Sequence, residues 1–141
     1  ELYGLPKKIH SVTTAAGGQH VIIVMEFDGF LATYELVNNQ NIVQFDAAIE
    51  IFQNTRKILV KYETPYIRYQ PASVQVIESN DKDTRTISYG PDFHDAFQTE
   101  LDLFHQCVTT GTQPKTTLED AVDDLKLFRE IIRVLRKQKE A

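Results

Sequence analysis

Four histidines, one cysteine and a few spaced carboxylates are the side chains of this 141-residue chain suited to acid–base, metal or nucleophilic chemistry. His94 and His105 are eleven residues apart. On a helix that is about three turns and roughly 16 Å, too far to share one metal ion. With His10 and His20 they read as surface or packing histidines. No His-Glu-x-x-His, Cys-x-x-Cys or His-x-Glu spacing is present, so no metal site is expected. Cys107 falls near an apolar helical stripe and reads as a packed thiol, not a nucleophile. Asp46 and Glu50 would lie on the same face of one strand about 13 Å apart, too wide for a glycosidase pair. They read as solvated or hydrogen-bonded carboxylates. Tyr62, Tyr66, Tyr69 and Tyr89 gather around a proline-bracketed segment, where they can line a ligand cleft or pack at strand ends. Gly17-Gly18 lacks the spacing of a phosphate-binding loop and reads as a turn. No complete set of catalytic, cofactor-binding or metal-ligating residues is expected.

Charge and composition exclude further classes. Twenty acidic against fifteen basic residues give a formal charge of −5. No basic patch occurs outside the last helical turns, so a nucleic-acid partner is not expected. The longest apolar run, Val21 to Met25, is too short to span a bilayer, and no signal peptide is visible. A single cysteine cannot form an internal disulfide, which fits a reducing, cytoplasmic setting. The chain opens on Glu1, and its only methionine is Met25. It therefore reads as a processed, proteolysed or excised piece with something before it.

The elements that must position these residues follow from period and turn chemistry. Strands are expected over Lys7 to Thr14, Gln19 to Phe27, Phe30 to Val37, Ile42 to Phe52, Arg56 to Glu63, Ala72 to Ser79 and Thr84 to Tyr89. Asp28-Gly29 between two apolar runs is a hairpin signal, and Asn38 to Asn41 reads as a turn. Phe30, Ala32, Tyr34 and Leu36 should share a face, as should Phe45, Ala47, Ile49 and Ile51. After Gly90-Pro91 the period changes to 3.6. Asp92 reads as an N-cap for a helix carrying Phe93, Phe97, Leu101, Phe104 and Val108, with Gly111 ending it. Thr116 and Glu119 form a capping-box signature before a second helix. Its stripe is Leu118, Ala121, Val122, Leu125, Phe128, Ile132 and Leu135.

The expected fold is α+β over a single domain, residues 1–141: an open, mainly antiparallel (mixed) sheet of about six strands with two C-terminal helices packed on one face. Six strands at ~4.8 Å spacing span roughly 29 Å, and two helices of ~10 Å diameter cover about 20 Å of one face. Both strand faces carry apolar residues, Ile22 and Val24 against Val21 and Ile23 for example. An uncovered, partly apolar face predicts association with another chain or a further domain.

Several strings resemble the C-terminal domain of the glucose–fructose oxidoreductase, inositol dehydrogenase and MocA family. They are YGLP at Tyr3 to Pro6, FDAAIEIF at Phe45 to Phe52 followed by a turn and ILV, TPYIRYQP at Thr64 to Pro71, and the run Phe93 to Arg136. The last looks like that family's end, a helix of F…EL..F form, then G..P, then a capped E-D-A…L helix. The resemblance covers essentially the whole chain. It implies the sheet domain of an NAD- or NADP-dependent oxidoreductase acting on a sugar, polyol or related hydroxy or carbonyl compound. It also implies a homo-oligomer formed through the exposed sheet face, and a separate N-terminal dinucleotide-binding domain. The glycine-rich turn, the Lys-Pro motif and the proton-transferring groups of such proteins match no position here. The chain alone is therefore expected to be inactive. By resemblance, Phe45 faces substrate. The alternative is a non-catalytic binding or scaffold module using the same exposed face.

Overall fold

The computed structural model describes residues 4–38, 41 and 45–140. The fold is α+β, with the strands β1 (Lys8–Ala15), β2 (His20–Glu26), β3 (Leu31–Val37), β4 (Ala47–Phe52), β5 (Arg56–Tyr62), β6 (Ala72–Ser79) and β7 (Thr84–Asp92), then the helices α1 (Ala96–Thr110) and α2 (Leu118–Glu140). The expectation of one sheet of about six strands is corrected. Among the described residues there are two antiparallel sheets, ordered β1-β2-β3 and β4-β5-β6-β7. Hairpin signals fix which neighbours pair locally, but alternation cannot say whether pairing continues across the longer stretch 38–46. Positions 42–44 of the strand expected from Ile42, and 39 and 40 of the preceding turn, lie outside the described residues. The chain divides into two compact units, Glu1–Ile42 with Gln113–Ala141, and Val43–Thr112.

In the first unit, β2 pairs with β3 in unbroken register from His20↔Val37 to Glu26↔Leu31. The β1–β2 ladder is different: Ile9 faces Met25 and Val12 faces Ile23, with a register shift between Ile9 and Ser11. Strict alternation would put Ile9 and Val12 on opposite faces. The extra residue, His10, lets both point to the same side. Ile9, Val12 and Ile23 are the buried core, and Val21, Met25, Leu127, Ile131, Val134 and Leu135 pack against it. Burying each such aliphatic side chain contributes about 1.5–3 kcal/mol. Gln138 Oε1 accepts a 3.0 Å hydrogen bond from Val12 N, tying the end of α2 to β1.

The start of α2 is capped one residue later than the sequence suggests. Thr117 N donates to Asp120 Oδ2 at 2.8 Å, and Asp120 N donates to the Thr117 hydroxyl at 3.3 Å. This reciprocal box uses Asp where Glu119 was expected, because the shorter carboxylate also reaches back to the cap. Of the expected α2 stripe, Leu135 packs on the core, and the rest is corrected. Leu127, Ile131, Val134 and Leu135 meet the sheet, whereas Leu118, Val122, Leu125, Phe128 and Ile132 are exposed. At 100° per residue Leu127, Ile131 and Val134 lie across the helix from Leu118, Val122 and Leu125, with Leu135 and Phe128 at the boundary between the two sides. A helix apolar on both sides does not declare from sequence which side it buries.

In the second unit the register builds rows across the sheet. Ile51–Ile58–Val76–Ile87 is one row and Ile49–Val60–Val74–Tyr89 is the next. Side chains alternate along each strand, so both rows stand on one face. The other face is mixed: Glu50, Lys57, Lys61, Gln75, Ser88 and Thr86 stand there among Ala48, Phe52, Leu59 and Ile77. A second shift falls between Ala72 and Val74, where β7 advances an extra residue. Gly90 occupies that bulge at φ 98, and a Cβ there would meet the Ala72 carbonyl oxygen at 2.9 Å. No other residue type fits without moving backbone. The first helix begins at Ala96 with Asp95, not Asp92, as its N-cap: Asp95 Oδ1 accepts from Gln98 N at 3.0 Å. Phe93 and His94 therefore precede the helix. Gly111, at φ 71, closes it as expected.

Candidate functional site

The two apolar rows of the four-stranded sheet are the feature with the clearest capacity to bind something. Ile49 and Tyr89 are exposed, and Ile51, Ile58, Val60, Val74, Val76 and Ile87 are only partly buried. No described residue of this unit is buried; the three that are belong to β1 and β2. An apolar sheet face of this kind favours association because covering it removes apolar surface from water.

One end of the face is charged. Arg56 opposes Glu78 on β6, and Glu78 opposes Arg85 on β7. Arg85 holds Glu78 Oε2 with two donors, Nε at 2.9 Å and Nη2 at 2.6 Å. Arg56 Nη2 lies 2.7 Å from the other oxygen. The Arg85 hydrogen bond, helped by Arg56, holds the Glu78 carboxyl below its ordinary pKa. An open recess of about 430 Å3 lies at this end, lined by Arg56, Glu78, Arg85, Thr55, Asn80 and Asp83. The β6–β7 turn is held by Asn80, whose Oδ1 accepts from Lys82 N and Asp83 N. The row was legible in principle, because a turn over 80–83 sets Ser79 against Thr84 and hence Glu78 against Arg85.

The other end is aromatic. Phe45, the expected substrate-facing residue, precedes β4 and places its ring 6.3 Å from that of Tyr62, tilted by 59°. The tyrosines make separate contacts. Tyr62 meets Phe45, Tyr66 meets Phe97 at 5.9 Å, and Tyr89 stands in the apolar row. Tyr69 adopts φ 60, in the left-handed region.

Several of the remaining titratable groups are paired. Glu50 holds Lys57 at 2.6 Å, and Asp46 falls just before β4. His10 meets Glu26 at 2.7 Å and His20 meets Glu35 at 2.8 Å. His94 Nδ1 lies 2.6 Å from Asp92 Oδ1, which also accepts from His94 N. That side-chain bond raises the His94 pKa above, and lowers the Asp92 pKa below, their ordinary values. Since His94 lies outside α1, the expected three-turn spacing from His105 on one helix does not hold. Cys107 is partly buried on α1, and its carbonyl accepts the capping bond from Gly111 N. Among the described residues, no three His, Cys, Asp or Glu side chains are grouped to hold a metal ion, and no helix is long and apolar enough to cross a membrane. Compared with protein-family models, curated proteins and solved structures, the chain matches none.

Proposed function

We propose that this chain is an association and substrate-side domain of a larger NAD(P)-dependent oxidoreductase acting on a sugar, polyol or related hydroxy or carbonyl compound. In this reading it does not react on its own. The observation that carries the association part is the pair of apolar rows left open on the four-stranded sheet. The oxidoreductase part rests on the resemblance of the strings at Phe45 to Phe52, Thr64 to Pro71 and Phe93 to Arg136. The apolar face meets a second copy, and Phe45 belongs to the substrate wall beside Tyr62. The dinucleotide-binding domain, with NAD or NADP, comes from elsewhere in the protein.

The pairing of His10, His20, His94 and Glu50 with charged neighbours favours a second reading, a scaffold module that binds through the same face with no chemistry attached. Sequencing the transcript upstream of the Glu1 codon separates the two. An in-frame strand, glycine-rich turn and Lys-Pro motif support the oxidoreductase. An initiation codon or unrelated coding sequence there removes it and leaves the scaffold.

A further inference from the structure

The edges of the two sheets are not equally guarded. β1 carries Lys8 and the bulge at His10, and β7 carries Arg85 and the bulge at Gly90-Pro91. Charges, prolines and bulges are the devices that keep sheet edges from pairing with other chains. β3, the outer strand of the three-stranded sheet, has none of the three except a single carboxylate, Glu35. Its register against β2 is regular throughout. Leu31, Tyr34, Leu36 and Val37 are 67%, 48%, 46% and 59% exposed.

The β3 sequence is also self-complementary. Two copies run antiparallel about a two-fold axis perpendicular to the sheet must oppose residues of the same face, so the axis falls on a residue. With the axis on Tyr34, Leu31 opposes Val37, Ala32 opposes Leu36, Thr33 opposes Glu35, and Tyr34 opposes itself. All seven residues gain a partner, and no like charges meet. Moving the axis to Glu35 sets two carboxylates against each other, which is destabilising. Moving it to Thr33 leaves Leu36 and Val37 without strand partners. β4 does less well: it is one residue shorter, and the axis on Ile49 leaves Phe52 without a strand partner.

We infer that β3 is a docking edge for β3 of a second copy of this chain, joining two three-stranded sheets into one of six strands centred on Tyr34. This contact is separate from the face proposed above. Seven residues a side is well short of the 20–30 typical of a stable interface, so the pairing is reversible.

The test is site-directed cross-linking of the 141-residue chain. Cys107→Ser removes the native thiol, and Val60→Glu disables the apolar face so that it cannot supply the encounter. In that background Tyr34→Cys is compared with Leu31→Cys under mild oxidation. Directly opposed residues sit about 4.5–5.5 Å apart at Cα, within disulfide range. The expected result is covalent dimer from Tyr34→Cys about tenfold faster than from Leu31→Cys. A mixture of Leu31→Cys and Val37→Cys chains should link to each other faster than either links to itself. This mixture decides the question if Tyr34→Cys fails to fold by circular dichroism. Equal rates for Tyr34→Cys and Leu31→Cys, or a mixed pair no faster than its components, overturn the inference. Neither result depends on whether the face associates.

Discussion

The two sheets treat their apolar sides differently. In the first unit α2 lies on the sheet, and Ile9, Val12 and Ile23 are sealed beneath Leu127, Ile131, Val134 and Leu135. In the second unit two four-residue apolar rows of similar composition carry no buried residue. Both sheets are antiparallel and both have a bulge. What differs is that one sheet is covered by a helix of its own unit, while the apolar rows of the other stay exposed or only partly buried. Apolar content therefore says that a face needs burial, and only the packing says who supplies it.

The largest effect that can break this contrast is a core truncation. Ile23→Ala should cost about 2–4 kcal/mol in urea unfolding. Val76→Ala should cost under about 1 kcal/mol when the chain is dilute, because no cavity is made. Equal costs would mean that the two faces are covered alike. Next, Gly90→Ala should destabilise by about 1–3 kcal/mol, since its φ of 98 and the 2.9 Å approach to the Ala72 oxygen both resist a side chain. Hydrogen exchange should show the loss in β6 and β7. Thr117→Ala removes the reciprocal cap of α2 and should cost about 1 kcal/mol, read as a lower urea midpoint.

The smallest effect is electrostatic. The Asp92 bond raises the His94 pKa, so that group's contribution is full below the ordinary imidazole value of 6.5 and is lost as pH rises through the raised one. Asp92, lowered by the same bond, contributes above its ordinary value of 3.8 and loses that contribution as pH falls through the lowered one. The pair is intact between those limits. Asp92→Asn should return the His94 titration towards 6.5 by NMR, with little change in unfolding.

Much of this was legible in the residues. The hairpin at Asp28-Gly29, the alternation of β4 to β7 and the end of α1 at Gly111 follow from turn chemistry and period. What period alone could not give was the bulge at His10, which puts Ile9 and Val12 on one face. Nor could it choose between the two apolar sides of α2, which decides that Leu127 and Ile131 are packed while Leu125 and Phe128 are exposed. The break between β3 and β4 lies in the same class, because pairing across 38–46 has no local signal. At the site, Phe45 was placed by resemblance, and the structure adds its contact with Tyr62. The row Arg56–Glu78–Arg85 needed the β6–β7 register, which the turn over 80–83 encodes but charge pattern does not.

The most direct measurement is sedimentation equilibrium of the chain and of Val60→Glu over a wide concentration range, with circular dichroism to confirm folding. The wild-type chain should associate with increasing concentration and bind a hydrophobic dye. Val60→Glu should lose most of both while keeping its secondary structure, because the substitution buries a charge wherever the apolar rows meet a partner. A wild-type chain that stays monomeric throughout and binds no dye, or a variant that associates as strongly as wild type, would contradict the account.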